Sequence, residues 1–172
     1  MAAEFSILYP LVVLAAAGCL FLAIREVRGL PVLSMSLLVP PLLAAFITLA
    51  LAILAPLDSW REMILGVALI VGVAGGGVRG WTMSMQVDHM WDLVRLLRSR
   101  DVQWASGLLA AAVASEIVLA FVNTAASAYH TVPLAGAALS AGFLAGRAMA
   151  VSVRIGKSPH KELHWRLVRR ED

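Results

Sequence analysis

Two ionisable residues lie inside long apolar stretches of this 172-residue sequence. Glu116 follows Trp104 by twelve residues, and Arg147 precedes Arg154 by seven. At 1.5 Å of helix rise per residue, Glu116 would lie about 18 Å and Arg147 roughly 10 Å from the same side of a membrane. Side chains tilt toward the N-terminus of their own helix, so two antiparallel helices would tilt these residues toward each other. We predict an intramembrane Glu116–Arg147 pair.

This predicted pair has two interpretations. Buried charges in membranes are candidates for proton or ion paths. A single pair without a chain of further carboxylates fits a structural role better than a proton path. Another structural possibility is that the Arg147 side chain extends to the lipid headgroups. We therefore favour the structural interpretation.

A second polar cluster, Asp88, His89 and Asp92, has the pattern Asp-His-x-x-Asp. On a helix the two aspartates share one face and could bind a cation weakly, but the solvated face of a surface helix is the preferred interpretation. His160 and His164 also share a face, yet they lack the glutamate of HExxH and a third ligand. The sequence therefore predicts no bound metal and no cofactor.

The remaining polar residues near the ends of the spans carry little chemistry. We expect a hydrogen-bonded loop, or a small mouth, made of Asn123, Ser127, Tyr129 and His130. The single cysteine, Cys19, excludes an internal disulfide and a CxxC site. An intramembrane enzyme would need paired aspartates, a Ser/Lys pair or histidine ligands inside the spans. These groups are missing inside the spans, and we predict a protein without enzymatic activity.

Composition predicts the elements that position these residues. Hydrophobic residues make up 60% and charged residues 15% of the chain, against about 45–50% and 25% in an ordinary soluble domain. The apolar residues form runs of about 20, which is the length that crosses ~30 Å of hydrocarbon as a helix. We predict a single all-α membrane domain over 1–172, a helix bundle with transmembrane spans at 6–24, 31–54, 63–81, 104–123 and 132–153.

Two features interrupt this regular pattern. Pro40 and Pro41 lie near the middle of the second span, where the loss of two backbone donors predicts a kink. Residues 86–103 are more polar, and their apolar positions recur at helical spacing, which predicts an interfacial amphipathic helix on the membrane surface. A β-hairpin is the weaker alternative, because no Asn-Gly type turn marks it.

The distribution of basic residues predicts the orientation. Of fourteen Lys and Arg, two lie between spans one and two, four lie from Arg79 at the end of span three to Arg100 before span four, and six lie in the tail at 154–172. The opposite side has Arg61 only. The positive-inside rule therefore predicts a cytoplasmic C-terminus and an N-terminus outside, in a multi-pass protein of the bacterial inner membrane.

The basic tail follows a span directly, and we predict that it contacts the lipid bilayer and no nucleic acid. Anionic headgroups attract basic residues near the surface by about 1 kcal/mol each. The predicted headgroup contacts are Lys157, Lys161, Arg166, Arg169 and Arg170.

Small residues recur every four positions in two of the spans. Helices in membranes associate through close backbone contact, which small residues permit. The predicted packing positions are Gly72, Gly76 and Gly80 in span three, and Gly142 and Gly146 in span five. The pattern fits packing within one chain or between two copies.

The order of short features along the chain supports a comparison with a protein family. These features are Arg25 to Arg28 after span one, Pro40-Pro41 in span two, Glu62 at the start of span three, Leu97-Arg98-Ser99 before span four, and Arg147-Ala148-Met149 in span five. This order resembles the CcdC-like family of small bacterial integral membrane proteins, over most of the chain. The resemblance implies the five-span architecture and contributes little on activity.

Two classes of function remain. The first is a non-enzymatic accessory or assembly component of a membrane complex, whose partners are other membrane protein subunits or a second copy. The second is a small proton-linked or solute transporter, with Glu116, Arg147 and the Pro40-Pro41 break as its working parts. We favour the first class, because the sequence has no internal repeat and no convergent polar site.

Overall fold

The computed structural model describes residues 8–54, 58–96, 100–122 and 128–159. Several residues named above lie outside the described part: His160, Lys161, His164, Arg166, Arg169, Arg170, Asn123 and Ser127, together with the side chain of Tyr129. The expectations for these residues stay predictions.

Five helices account for most of the described chain. They are α1 (Leu8–Val27), α2 (Val39–Leu54), α3 (Ser59–Thr82), α4 (Asp101–Val122) and α5 (Ala128–Ile155). All five are long and apolar enough to cross a membrane, with α2 counted together with the 3₁₀ turn that precedes it at Ser34–Leu38. The predicted number of apolar helices is confirmed, because it depends on local composition alone. The predicted ends differ from these bounds by a few residues.

Helix α5 is the centre of the bundle. It packs along α2, α3 and α4, whereas α1 packs on α2 and α4. The core between α1, α2, α4 and α5 consists of alanine and branched aliphatic side chains, including the fully buried Ala44, Ile47, Leu109 and Ala137. These small side chains let the helix backbones approach closely, and close packing is what holds helices together in lipid.

A small antiparallel sheet covers one end of the bundle. Its strands are β1 (Val32–Leu33), β2 (Met85–Asp88) and β3 (Leu93–Leu96), with β3 in the middle. Val87, Val94 and Leu96 are buried and pack in one cluster with Leu37 and Val151. Because β1 follows α1 and the β2–β3 hairpin follows α3, both connections and the C-terminal end of α5 lie at the same end of the bundle, here called the sheet end.

The predicted interfacial helix at 86–103 is wrong, and a β-hairpin occupies its first half. The hairpin turn has local contacts that no Asn-Gly pair announces: Asp88 Oδ1 accepts a hydrogen bond from the Met90 N–H at 3.1 Å, and Asp92 has a φ of 49°. The apolar residues Val87 and Val94 face each other across the two strands. The hairpin is further stabilised by β1, a partner distant in sequence, which helical periodicity cannot reveal.

The predicted placement of Pro40 and Pro41 in the middle of a helix, which was the basis for a kink, is also wrong. The chain forms a 3₁₀ turn over Ser34–Leu38, and α2 begins only at Val39, so both prolines lie in the first turn of the α-helix. The N–H groups of the first turn have no helical partner, and proline loses nothing there. Pro40 is buried, and its carbonyl accepts a weak hydrogen bond from Cys19 Sγ at 3.6 Å.

The glycine-containing faces of α3 and α5 contact each other within the chain. A Cβ atom at Gly72 or Gly76 would overlap the backbone of α5 at Leu139 or Phe143, and one at Gly80 would lie 2.7 Å from Ala150 Cβ. In the same way, a Cβ at Gly142 or Gly146 would overlap the backbone of α3. The two backbones are therefore in direct contact over about three turns.

Candidate functional site

A buried ion pair joins α1 to α5 beneath the sheet. Arg147 donates hydrogen bonds from Nη2 to Glu26 Oε1 and from Nη1 to Glu26 Oε2, the latter at 3.4 Å. Glu26 is 9% and Arg147 5% exposed. Since Glu26 is the second-last residue of α1, the pair lies at the sheet end and not at the middle of the bundle.

Further contacts hold the end of α5 against the hairpin. Arg147 Nε lies 3.3 Å from Met83 Sδ. Seven residues further along α5, Arg154 Nη1 donates to the carbonyls of Gly80 and Met83 at 2.6 and 2.7 Å. Carbonyls at the C-terminal end of a helix lack helical partners, and a cation there satisfies them. These contacts couple α3, α5 and the start of the hairpin.

A small cavity of about 40 Å³ borders the Glu26–Arg147 pair. Its polar lining includes Ser36 and Arg25, and Pro40 and Pro41 close another side. A polar cavity of this size holds an ordered water but no larger substrate. The cavity is too small for a substrate site.

The sequence reasoning missed Glu26, although a signal for it exists. The buried residues of α1 are spaced by three or four positions and form one stripe, which consists of Val12, Ala15, Ala16, Cys19, Ala23 and Glu26. Glu26 therefore continues the core-facing stripe. An acidic residue on that stripe needs a cationic partner from another helix, because a buried unpaired charge is very costly.

A second buried pair joins α4 to the start of α5 at the opposite end of the bundle. His130 Nδ1 lies 2.7 Å from Glu116 Oε1. The Glu116 side chain is 7% exposed and that of His130 is 23% exposed. Glu116 Oε2 is buried and has no hydrogen-bond partner among the described residues. His130, expected in a polar loop, is thus the partner that holds Glu116.

The predicted Glu116–Arg147 pair is therefore wrong in its partners. Because α4 and α5 form an antiparallel hairpin, the contact between Glu116 and His130 fixes their alignment. Arg147 lies 17 residues beyond His130 on α5, a separation of about 25 Å at 1.5 Å per residue. The depth estimate failed because α5 continues into the sheet end, so Arg147 lies nearer the bundle end than its distance from Arg154 suggested.

The described core between the two pairs is apolar and closely packed. Its side chains come mainly from Leu109, Ala112 and Val113 of α4 and Leu134, Ala137, Ala141 and Leu144 of α5. Two buried serines are exceptions, and both hydroxyls are bonded: Ser106 Oγ to Cys19 Sγ at 3.8 Å and Ser140 Oγ to the Gly136 carbonyl at 2.9 Å. The two buried pairs are thus separated, with no titratable chain between them in the described residues.

The Glu116–His130 contact gives a first testable prediction. We expect Glu116→Ala and His130→Ala each to destabilise the protein, and the double variant to lose less than the sum by about 0.5–3 kcal/mol, because each single change leaves a buried polar partner unpaired. Denaturant unfolding in detergent measures all four proteins of the cycle. Additive losses would show that the two side chains do not interact.

The residues of the alternative surface cation site, Asp88, His89 and Asp92, have different partners. Asp88 is buried and binds the turn at Met90. Asp92 Oδ2 accepts from Ser34 Oγ at 2.6 Å, and His89 Nε2 lies 3.0 Å from the Ser158 carbonyl. No group of three or more His, Cys, Asp or Glu side chains suited to a metal occurs among the described residues. Asp88, His89 and Asp92 therefore stabilise the hairpin turn and its contacts with neighbouring segments.

No family model, no curated protein and no solved structure matches the chain. The resemblance to the CcdC-like family therefore stays a prediction.

Proposed function

We propose that this protein is a non-enzymatic accessory or assembly component of a membrane protein complex, and that it binds its partner through the outer face of α3. The observation that carries the proposal is the position of α3 in the bundle. Among the described residues, α5 is the one helix with which α3 makes extensive contact. The rest of α3 is left for lipid or for another protein.

The outer face of α3 has the spacing of a helix-packing seam. Residues recur alternately after four and three positions, as in the a and d positions of a heptad. This outer seam consists of Met63, Val67, Ile70, Ala74, Gly77 and Trp81. No atom lies within 4 Å of a Cβ placed at Gly77, so a partner helix could approach closely there. Seam spacing with small residues favours a protein over lipid as the partner of this face.

The internal charges support a structural role for the bundle itself. Each of Glu26, Arg147, Glu116 and His130 is engaged in one of the two pairs, and the described core between them is apolar. A proton-linked transporter would need titratable or hydrated groups across this layer. The transporter alternative therefore has less support than the accessory role.

We further propose that the sheet end faces the cytoplasm and that the N-terminus of α1 lies outside, in a bacterial inner membrane. The described basic residues outside the Glu26–Arg147 pair, with the exception of Arg61, gather at the sheet end, and they are Arg25, Arg28, Arg79, Arg95, Arg100, Arg154 and Lys157. A bias of this kind corresponds to the cytoplasmic side. Lys157 is exposed, and its predicted contact with lipid headgroups belongs to this proposal.

The docking proposal predicts that a bulky residue in the outer seam removes the partner. We expect Ala74→Phe to lower recovery of a co-purifying membrane protein roughly tenfold, equivalent to about 1.4 kcal/mol of lost packing. The tagged full-length chain is extracted in mild detergent, and native mass spectrometry measures the complexes. The matched control is Ala45→Phe, since Ala45 is an exposed alanine of α2.

Two outcomes would contradict the accessory role. One is a monomer with no stoichiometric partner from its native membrane. The other is a homodimer that Ala74→Phe dissociates, because the outer seam would then bind a second copy. Equal loss of the partner with Ala45→Phe would remove the assignment to α3.

A further inference from the structure

A lateral groove runs between α3 and α4, on the side of α3 away from the outer seam. Both helices pack on α5, and they have no extensive contact with each other among the described residues. The groove has a volume of about 370 Å³. Leu139 and Phe143 of α5 form its floor, with Val71 of α3 on one wall and Leu108 of α4 on the other.

The groove is apolar along its length and polar at one end. The Ser140 hydroxyl in its floor donates to the Gly136 carbonyl, so the floor presents no free donor. At the sheet end, Asp101 lines the groove and forms an ion pair with Arg79. Arg100 precedes Asp101 and is exposed, and the Arg79 side chain is 48% exposed. Two arginines and one aspartate leave this end with a net positive charge.

The apolar part of the groove is long enough to take part of a lipid chain. A linear hydrocarbon chain fits, because the lining residues of α4 extend from Asp101 to Leu108, a rise of about 10 Å for seven residues.

We propose that this groove binds one acyl chain of an anionic phospholipid, with the phosphate held by Arg79 and Arg100. The headgroup then lies at the sheet end, where Trp104 is 78% exposed at the rim of the groove. Tryptophan favours this level of a membrane because its ring is amphipathic. Arginine presents several N–H donors to a phosphate at once. Arg79 keeps exposed surface for this contact in addition to its bond with Asp101. The site is distinct from the outer seam, and it does not depend on the proposed function.

Fluorescence quenching of Trp104 tests the proposal in the full-length chain. In one variant Trp60, Trp81, Trp91 and Trp165 are replaced by phenylalanine, so that Trp104 alone reports. The protein is reconstituted in phosphatidylcholine with a small fraction of phosphatidylglycerol brominated on its acyl chains. We expect quenching that corresponds to roughly fivefold local enrichment of the anionic lipid, the ratio for about 1 kcal/mol. Brominated phosphatidylcholine at the same fraction should give no enrichment.

Two controls keep the test specific. A variant with Trp60 as its single tryptophan reports an exposed position at the other end of α3, outside the groove, and should show no enrichment. Val71→Phe fills the groove at an exposed position and should abolish the enrichment at Trp104, and Arg79→Gln with Arg100→Gln should lower it. Native mass spectrometry of the wild-type chain and Val71→Phe measures retained phosphatidylglycerol without any tryptophan change.

The proposal is overturned if Trp104 and Trp60 are quenched alike by the brominated anionic lipid. It is also overturned if brominated phosphatidylglycerol and brominated phosphatidylcholine are equally enriched at Trp104, because the arginines would then not select the anionic headgroup. Loss of a protein partner with Val71→Phe, at unchanged quenching, would assign the groove to a protein instead.

Discussion

Arg147→Met is expected to lower the free energy of unfolding by about 3–5 kcal/mol, the cost of leaving one charge of a buried pair without its partner. Arg147 and Glu26 are both at least nine-tenths buried, and the guanidinium contacts both carboxylate oxygens. Removing the arginine leaves Glu26 inside the junction of α1, α5 and the sheet. Denaturant titration in detergent, followed by circular dichroism, measures the loss.

The double variant Glu26→Met with Arg147→Met is the decisive comparison. Apolar side chains of similar length fill the space without buried charge, and we expect much of the lost stability to return. Glu116→Gln with Arg147→Met is the control, and its losses should add, since the two sites are about 25 Å apart along α5. A loss below about 1 kcal/mol for Arg147→Met would indicate a solvated, weak ion pair and contradict the buried geometry.

Gly76→Ala is the second change with a large expected effect. A Cβ at Gly76 would overlap the backbone of Phe143, and a backbone cannot move aside as a flexible side chain can. Helices α3 and α5 would have to separate, with an expected loss of about 1–3 kcal/mol. Since α5 is the main attachment of α3, the α3–α5 contact should weaken over its whole length. Disulfide cross-linking between introduced cysteines on the two helices measures the separation.

Gly66→Ala is the matched control on the same helix. No atom lies within 4 Å of a Cβ at Gly66. Alanine is the better helix former, so this variant should be unchanged or more stable by up to about 1 kcal/mol. Equal losses for Gly66→Ala and Gly76→Ala would mean that helix propensity, and not the contact with α5, explains the effect.

The polar connections show where local reasoning fails. The segment 86–103 has apolar residues that fit helical spacing, but Val87, Val94 and Leu96 are buried as strand residues. The hairpin is favoured because β1, contributed by the α1–α2 connection, supplies a strand partner. The position of Pro40 and Pro41 within the helix also depends on the neighbouring structure, because the 3₁₀ turn before them moves the start of the α-helix to Val39.

The sequence predicted two residues of the candidate site and neither of its pairs. Glu116 and Arg147 are both buried ionisable residues, as their apolar surroundings indicate. Their partners, His130 and Glu26, lie near the ends of their helices, where an ionisable residue looks ordinary in sequence. The helical stripe through Cys19 and Ala23 would have identified Glu26 as core-facing, but the spacing of one helix does not state which partner helix faces it.

The sequence by itself determined the five apolar helices and the residues suited to close packing. Both depend on interactions within one turn or one span: about 20 apolar residues must form a helix because lipid offers no partner for backbone polar groups. Only the tertiary structure decided that α5 lies at the centre, that a sheet closes one end, and that Glu26 rather than Glu116 holds Arg147. These features depend on the axial alignment of helices that are distant in the chain. That alignment is set by the backbone contact at the glycines together with the pairing of buried polar side chains.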